Sequence, residues 1–311
     1  MGGNPAYCVE GSMERYDLLV IGGGAAGMAA ALAAEKAGMR SVLLVERDTV
    51  LGGILRQCFH HGFGRGYFGE DLTGPEYAER FFSRIGRSGI KVQTGMTVLR
   101  LQEQRALLCG NGAVRWIGFR QCVLAAGCRE QTLGALPVSG TRPAGIFTAG
   151  TAQRLVNIGN YDIGDEIVIL GSGDIGQIMA RRFVLRGKRV VAMIEQHNAL
   201  GGLARNRREC ILAYHIPVIL SATVDEMIGE GRISGVMVRH LDTGRRELLP
   251  CRTLVTALGL IPEQELIAPW GKDNLPPWLH ICGNCDYVHE IVDSVTAQAE
   301  ALGERLGKNS M

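Results

Sequence analysis

The sequence predicts an α/β protein of two similar domains, and its length, its glycine content and an internal repeat support this prediction. The 311 residues suit two domains at roughly 100 to 200 residues each. Glycine occurs 43 times, about twice the roughly 22 that average usage gives. These glycines follow no collagen-like period and prolines number only 10, so a fibrous or disordered chain is excluded.

The first copy of the repeat is a strand, a glycine-rich turn, a helix and a second strand. Its parts are residues 16–21, the turn Gly22-Gly-Gly24-Ala-Ala-Gly27, a helix to residue 37, and a strand over residues 40–45 that ends at Glu46. In such a unit the glycines permit a tight turn, a close approach of backbone to a pyrophosphate, and packing of helix on strand. The acid accepts hydrogen bonds from ribose hydroxyls. The unit therefore predicts a Rossmann-like, dinucleotide-binding fold.

The second copy repeats the first at a constant spacing of 149 residues. Its parts are a strand over residues 167–170, the turn Gly171-Ser-Gly173-Asp-Ile-Gly176, and a strand over residues 189–194 that ends at Glu195. The triplet Leu51-Gly52-Gly53 also returns, as Leu200-Gly201-Gly202. The chain is therefore expected to contain two dinucleotide folds of common design.

Beyond these triplets the spacing falls to 126, because the first copy holds 23 extra residues between Gly53 and Gly89. This insert contains Cys58, His60 and His61, followed by an aromatic stretch. Two interpretations stay open for it: an excursion at a domain boundary, or a segment beside the cofactor.

Each half then closes with an apolar strand that stops at a glycine. The first reaches Ala126 and Gly127, and the second stops at Gly259. A further strand leads to Gly283 and Asn284, and a helix follows over residues 290–306. Because no third glycine turn accompanies it, this tail is expected to complete the first domain.

As an ordered set, these motifs resemble the pyridine nucleotide–disulfide oxidoreductase superfamily of thioredoxin reductase type, over residues 15–306. The resemblance implies an FAD-binding domain made of residues 14–130 and 260–311. It implies an NAD(P)-binding domain, residues 131–259, inserted into the first. Residues 1–13 are expected to be a disordered tail.

The resemblance also implies which residues bind the cofactors. Those expected in the first fold are Gly22, Gly24, Ala25, Ala26, Gly27, Glu46, Arg47, Gly52, Gly53, Ile54, Val98, Ala126, Gly127, Gly283 and Asn284. Those expected in the second fold are Gly171, Gly173, Asp174, Ile175, Gly176, Glu195 and Gly259. Asn284 stands where the family usually has aspartate. The helix after it is expected to aim its N-terminus at the flavin pyrimidine, where its dipole would stabilise negative charge.

Glu195 favours NAD over NADP, because a carboxylate accepts from ribose hydroxyls and repels a 2'-phosphate. Three arginines in the following segment offer charge to such a phosphate: Arg205, Arg207 and Arg208. A solvated helix face is the favoured interpretation of these arginines.

The catalytic cysteine pair of the superfamily is missing. Many members carry it after the first Gly-Gly, where this chain reads GGILRQCFHHGFG with Cys58 alone. Thioredoxin reductases place CxxC before the second Rossmann strand, and residues 155–170 contain no cysteine. The one CxxC, Cys282 to Cys285, overlaps the Gly-Asn motif, and no second cysteine or histidine pair accompanies it. Neither dithiol chemistry nor a metal site is therefore expected.

The two segments GGILRQCFHHGFG and ICGNCDYVHEIVD resemble those of a branch of FAD/NAD subunits that lacks the catalytic disulfide. These subunits belong to glycerol-3-phosphate, sarcosine, opine and amino-acid dehydrogenase complexes. The resemblance implies an FAD-dependent oxidoreductase that moves a hydride between NAD(H) and flavin and exchanges electrons with a partner dehydrogenase subunit.

Three residues are candidates for chemistry beside the flavin: Cys58, His60 and His289. Histidine can protonate or orient a reduced flavin because it titrates near neutral pH. A single reactive cysteine would instead suit a self-contained NADH oxidase or peroxidase, which requires a low thiol pKa. A thioredoxin reductase-like enzyme stays open as well, and so does a nucleotide-binding subunit without turnover.

Charge and composition limit the partners. The 33 basic and 31 acidic residues nearly balance, and no long basic run occurs, so nucleic acid is not an expected partner. No stretch is long and apolar enough to predict a membrane span. Nine irregularly spaced cysteines suit a reducing compartment, and the cytoplasm is the expected location. An oligomer is expected.

Overall fold

The computed structural model describes residues 13–309, which form two compact units. Within that range the first unit holds residues 13–56, 61–128 and 262–309, and the second holds residues 57–60 and 129–261. The predicted tail lies outside the described residues except for Met13.

The short segment 57–60 was expected in the first domain but packs with the second unit. Its attachment is polar: the Gln57 amide donates to the Gly150 carbonyl oxygen at 2.8 Å, and the Asn157 amide donates to the Gln57 carbonyl oxygen at 2.8 Å. The contacts lie about 100 residues apart in sequence, so no local pattern could have revealed them.

The secondary structure contains both parallel and antiparallel strands. The strands are β1 (Arg15–Ile21), β2 (Val42–Val45), β3 (His61–Phe63), β4 (Leu72–Thr73), β5 (Lys91–Gln93), β6 (Met96–Gln102), β7 (Arg105–Gly110), β8 (Ala113–Leu124), β9 (Cys128–Glu130), β10 (Ser139–Gly140), β11 (Ile146–Thr148), β12 (Glu166–Leu170), β13 (Arg189–Ile194), β14 (Val218–Ile219), β15 (Ala222–Gly229), β16 (Ile233–His240), β17 (Arg246–Pro250), β18 (Thr253–Thr256), β19 (Leu260–Pro262) and β20 (Leu279–Ile281). The helices are α1 (Ala25–Lys36), α2 (Gly74–Ile85), α3 (Ala149–Asn157), α4 (Asp174–Leu185), α5 (Ala204–Asn206), which continues as a wider turn over Arg207–Leu212, and α6 (Val292–Lys308). Single 3₁₀ turns cover Gly53–Gln57, Leu133–Ala135, Glu265–Ile267, Lys272–Asn274 and Gly283–Cys285.

The first unit is built on a seven-stranded sheet in the order β5-β2-β1-β8-β7-β6, with β20 also paired to β8. The strands β5, β2, β1, β8 and β20 run parallel, and β6 to β8 form antiparallel hairpins. β2 is buried at every position, as expected for a parallel strand covered on both faces. Helices α1 and α6 pack closely because Gly303 faces α1: a Cβ there would lie 2.3 Å from the Ala30 carbonyl oxygen.

The second unit combines a parallel sheet with an antiparallel one. The parallel sheet has the order β11-β18-β12-β13-β14, and the antiparallel meander β15-β16-β17 is joined by β10. One apolar core lies between the parallel sheet and helices α3 and α4, around Ile169, Met179 and Phe183. A second core, around Val168, Val224 and Val236, lies between the two sheets.

Both parallel sheets place a glycine turn at the carboxyl end of a central strand, β1 in the first unit and β12 in the second. In each unit the strand, turn, helix and strand follow in the predicted order. The structure therefore confirms the predicted fold class, an α/β protein with two Rossmann-like folds.

From residue 61 onward, the unmatched insert folds as a small element of the first unit with its own aromatic cluster. Helix α2 begins at a capping box in which Thr73 and Glu76 exchange side-chain and backbone hydrogen bonds. Its buried residues Tyr77 and Phe81 pack with Tyr67 and Phe68, with ring centroids 5.1 to 6.4 Å apart. Packing of the insert therefore accounts for the aromatic stretch.

Between residues 13 and 309, no helix has both the length and the apolar character needed to cross a bilayer.

Candidate dinucleotide sites

The first glycine of each turn is required by backbone geometry. Gly22 has φ +105°, and a Cβ there would lie 2.4 Å from the Ala125 carbonyl oxygen. Gly171 has φ +100°, and a Cβ would lie 2.2 Å from the Ala257 carbonyl oxygen. Both positions strongly disfavour a side chain, because of the positive φ and because the neighbouring strand end is so close.

The middle glycine of each turn is open instead. A Cβ on Gly24 or on Gly173 would meet no atom within 4 Å, and each residue is the N-cap of its helix without a side-chain cap. The first turn of α1 also carries no acidic residue. Bare backbone at an uncapped helix N-terminus suits a pyrophosphate, so both turns fit the dinucleotides FAD and NAD(P).

The third glycine of each turn, Gly27 or Gly176, packs on the first. A Cβ on Gly27 would lie 1.8 Å from the Gly22 carbonyl oxygen, and one on Gly176 would lie 2.7 Å from that of Gly171. The helix can therefore approach its strand only because this position is bare.

Glu46, the acid that ends β2, is 7% exposed and braces the first turn. Its Oε2 accepts from the Gly23 N–H at 2.6 Å, and its Oε1 accepts from the Asp48 N–H at 2.8 Å. Each carboxylate oxygen can accept more than one hydrogen bond, so ribose hydroxyls can still bind here.

Glu195 repeats this arrangement at the end of β13. Its Oε2 accepts from the Ser172 N–H at 3.0 Å and from the Ser172 hydroxyl at 2.5 Å, and its Oε1 accepts from the His197 N–H at 3.0 Å. Burial pushes the pKa of Glu195 upward, but the hydrogen bonds from Ser172 and His197 outweigh it and lower the pKa. The side chain is therefore an ionised acceptor at neutral pH.

The repeated Gly-Gly loops close on the glycine turns in both units. The Gly52 N–H donates to the Gly23 carbonyl oxygen at 2.8 Å, and the Gly201 N–H donates to the Ser172 hydroxyl at 2.8 Å. In the second unit the Gln177 amide also donates to the carbonyl oxygens of Ser172 and Gly201. The sequence did not lead us to expect Ser172 or Gln177 in this site. For Ser172, its position as a polar residue inside the glycine turn could have indicated the role.

The first site continues at the segment that follows β20. Gly283 has φ +69°, and a Cβ there would lie 2.7 Å from the Ala26 Cβ in the first turn of α1. Asn284 follows directly. At the start of α6, the Asp293 carboxylate accepts from the N–H groups of Gly64 at 3.0 Å and Gly66 at 2.7 Å. Asp293 thus fastens the insert to the helix start, a role that the sequence did not reveal.

Most of the other predicted cofactor residues lie at helix starts or in the segments that follow strands. Ala25 and Ala26 begin α1, Gly53 lies beside Gly24, Arg47 is exposed after Glu46, Ile54 is 61% exposed, Ala126 and Gly127 follow β8, Ile175 is in the first turn of α4, and Gly259 follows β18. Val98 lies in the edge strand β6 with its side chain buried, so only its backbone is available to a ligand. Asp174 Oδ1 accepts from the Leu203 N–H at 2.8 Å and from the Asn206 amide at 2.7 Å.

The three arginines after Glu195 contact their own segment. Arg207 donates to the Gly202 carbonyl oxygen at 2.8 Å, and Arg205 and Arg208 lie 3.9 and 3.3 Å from the Glu209 carboxylate. These contacts agree with the interpretation of a helix surface.

The environment of Cys58 opposes its predicted redox role. Burial raises the pKa of the thiol to about 12, and its Sγ lies 3.8 Å from Gln153 Oε1. A sulfenate-forming cysteine needs a thiolate and access to peroxide, and neither condition holds here. Cys58 and His60 belong to the second unit, whereas His289 belongs to the first.

The CxxC cysteines are buried as well. Cys285 Sγ donates to the carbonyl oxygens of Leu124 at 3.0 Å and Cys282 at 3.1 Å, and burial raises the pKa of both thiols. The pair thus has the environment of core residues.

Comparison with known proteins agrees with this geometry. The family model for pyridine nucleotide-disulphide oxidoreductase matches residues 16–276. The chain is 27% identical to the hydrogen cyanide synthase protein HcnB of Pseudomonas protegens over 82% of its length, and 27% identical to one of the opine oxidase subunits of Agrobacterium tumefaciens over 81%. It spans 59% and 54% of those two relatives.

Among solved structures, thioredoxin reductase of T. acidophilum superposes with a TM-score of 0.78 at 20% identity. The match covers 96% of this chain and 99% of that chain, and it supports the fold alone. Because the family model covers most of the chain and the glycine turns have the geometry that two dinucleotides require, the chain belongs to the pyridine nucleotide-disulphide oxidoreductase family, whose cofactors are FAD and NAD(P).

Proposed function

We propose that the chain is an FAD-dependent oxidoreductase that transfers a hydride between NAD(H) and flavin and passes electrons to or from a partner dehydrogenase subunit. When bound, the two cofactors supply the redox chemistry, since nicotinamide and flavin exchange a hydride directly. The single observation that carries the proposal is the pair of matching open glycine turns, one in each unit, braced by Glu46 and Glu195.

The residues of each unit have distinct tasks in this proposal. The first unit holds FAD, with the pyrophosphate on the α1 turn and the ribose at Glu46. The second unit holds the nicotinamide nucleotide on the α4 turn. Ionised Glu195 favours NAD over NADP by repelling a 2'-phosphate.

A partner protein is proposed because two relatives are named as subunits, one of hydrogen cyanide synthase and one of opine oxidase. A glycerol-3-phosphate, amine or amino-acid dehydrogenase-like partner is the proposed class. The cytoplasm is the proposed compartment, because the eight cysteines between residues 13 and 309 are thiols rather than disulfides.

Anaerobic titration of the purified protein with NADH tests the hydride step. We expect bound flavin whose visible absorption bleaches with NADH and responds less to NADPH. Protein without flavin, or flavin that NADH cannot reduce even with the partner present, would refute the proposal. Purification from the native source, with identification of the protein that accompanies it, tests the partner.

The competing single-cysteine oxidase or peroxidase finds no support in the geometry, since the Cys58 thiol is buried and protonated. A dithiol enzyme of thioredoxin reductase type is disfavoured in the same way by the buried Cys282 and Cys285.

A further inference from the structure

In the second unit, the carboxylate of Glu195 accepts hydrogen bonds from two backbone N–H groups and from one side-chain hydroxyl. The Ser172 hydroxyl lies 2.5 Å from Glu195 Oε2, and the Ser172 N–H donates to the same oxygen at 3.0 Å. The His197 N–H donates to Oε1 at 3.0 Å. A proton on the carboxylate would have to compete with these donors, so the contacts favour the ionised form.

A second contact of Ser172 fixes the direction of its hydrogen bond to the acid. The Gly201 N–H donates to the Ser172 hydroxyl oxygen at 2.8 Å. Because a backbone N–H can only donate, the hydroxyl oxygen accepts there, and its own proton points to Glu195 Oε2. Ser172 is 0% exposed and Glu195 is 7% exposed, so little water competes for this proton. The hydrogen bonds therefore run in one direction, from the Gly-Gly loop through Ser172 to Glu195.

The first unit provides an internal comparison, because it has the same acid without a hydroxyl beside it. Gly23 stands at the position of Ser172 in the repeat, and Glu46 accepts from the N–H groups of Gly23 and Asp48. A Cβ at Gly23 would lie 2.4 Å from Leu51 Cδ2, so a side chain there would require Leu51 to move. The hydroxyl is therefore a feature of the second unit and not of the shared fold.

The surroundings of Glu195 leave Ser172 as its main stabilising partner. Among residues 13–309, His197 is the titratable group whose charge acts on Glu195. On the sheet side the Glu195 backbone pairs with Ile219 and Ala222, which carry no charge. Burial pushes the pKa of Glu195 upward, and the Ser172 hydroxyl is the largest of the influences that lower it. Removal of the hydroxyl should therefore raise the pKa of Glu195.

We propose that Ser172 is a positioning residue for the choice of nucleotide: its hydroxyl keeps Glu195 free of a proton and so preserves the preference for NAD over NADP at acidic pH. Ser172 acts through Glu195, whose negative charge repels a 2'-phosphate. The inference rests on the proposed function, since it requires that the second unit bind the nicotinamide nucleotide.

Fluorescence titrations of Ser172→Ala with NADH and with NADPH, between pH 5 and pH 8, test the proposal. We expect a preference for NADH close to the native one at pH 8, and a loss of this preference on acidification that begins at a higher pH than in the native protein. Neutralising a carboxylate about 4 Å from a phosphate changes affinity about fivefold even at the dielectric constant of water, so the loss should reach roughly fivefold. Because a phosphate also gains a proton near about pH 6, each value is compared with the native protein at the same pH.

Gln177 provides the matched control, because it braces the same turn and loop without a hydrogen bond to Glu195. Its amide donates to the carbonyl oxygens of Ser172 at 2.7 Å and Gly201 at 2.8 Å. Gln177→Met should weaken both nucleotides in proportion and keep the native pH dependence of their ratio. The same change of ratio with pH in both variants would overturn the inference. Bound FAD verifies that each variant is folded, and Ser172→Gly, which reproduces position 23, replaces an unfolded Ser172→Ala.

The ionisation of Glu195 has a readout that needs no nucleotide. Carbon-13 NMR of the side-chain carboxylates, with Glu195 assigned by the signal that is lost in Glu195→Gln, should show this group titrating at a higher pH in Ser172→Ala than in the native protein. An unchanged titration would overturn the inference.

The role of Ser172 and the proposed function fail separately. Native protein that binds neither NADH nor NADPH refutes the proposed function. Native protein that prefers NADH, together with a Ser172→Ala variant that keeps the native ratio at every pH, refutes only the role of Ser172.

Discussion

Substitution of the first or middle glycine of the α1 turn by alanine should separate folding from FAD binding. At Gly22 the φ of +105° costs alanine about 1–3 kcal/mol, and the 2.4 Å contact with the Ala125 carbonyl oxygen adds about 1–3 kcal/mol. Because a domain is stable by only about 5–15 kcal/mol, Gly22→Ala should lower the thermal stability of the apoprotein markedly.

Gly24→Ala should behave in the opposite way. The residue has φ −78°, an added Cβ meets no atom within 4 Å, and alanine in place of an N-cap glycine costs about 1 kcal/mol or less. The methyl group would occupy the space that the pyrophosphate needs. Overpacking of about 1–3 kcal/mol then weakens FAD binding roughly 5- to 150-fold.

Thermal unfolding of the apoprotein and a fluorescence titration with FAD measure the two effects. Gly173→Ala is the matched control, because it places the same methyl group in the second unit. It should spare FAD binding and weaken NADH binding. If Gly24→Ala binds FAD as tightly as the native protein, the assignment of the α1 turn to the pyrophosphate is refuted.

Three further predictions concern single side chains. Cys58→Ser should leave anaerobic flavin reduction by NADH within about twofold of native, because a thiol with a pKa of about 12 supplies no thiolate; a large loss of reduction rate would show a reactive cysteine. In the folded protein the pKa of Glu195 lies below its ordinary value of 4.5. The ionised side chain therefore stabilises the fold fully above pH 4.5, and this stabilisation is lost as the pH falls through the pKa of the folded state. The melting temperature of Glu195→Gln should therefore approach the native one in acid, and a constant difference at all pH values would contradict this. Tyr77→Phe should cost about 1–2 kcal/mol of stability by chemical denaturation, because it leaves the buried Thr296 hydroxyl, 2.7 Å away, without its partner; adding Thr296→Val should recover part of the loss, and strict additivity would argue against the hydrogen bond.

Much of the first site could be predicted from the sequence, because it depends on residues that lie close together in the chain. The strand before Gly22, the open Gly24, and the acid Glu46 obey constraints that act within 25 residues of chain. The constant spacing to Gly171 then identified the second unit without any knowledge of contacts. The same reasoning named Asn284 and His289 as residues near the cofactor, but not the hydrogen bond from the His289 N–H to the Asn284 side chain.

The remaining features of the sites depend on contacts between residues that lie far apart in the sequence. The sequence could not show that Asp293 binds the backbone of Gly64, 229 residues away, or that Gln57 attaches its segment to α3. It also left Cys58 open as a redox residue, because thiol reactivity depends on burial and neighbouring groups rather than on spacing.

The sequence by itself thus determined two dinucleotide folds, since glycine turns, strand periodicity and terminal acids are constraints of the backbone. Only the tertiary structure decided which titratable side chains are available for chemistry. Burial keeps Cys58, Cys282 and Cys285 as protonated thiols, whereas hydrogen bonds from Ser172 and His197 keep Glu195 ionised. The physical reason is that the pKa of a side chain depends on atoms brought together from distant parts of the chain.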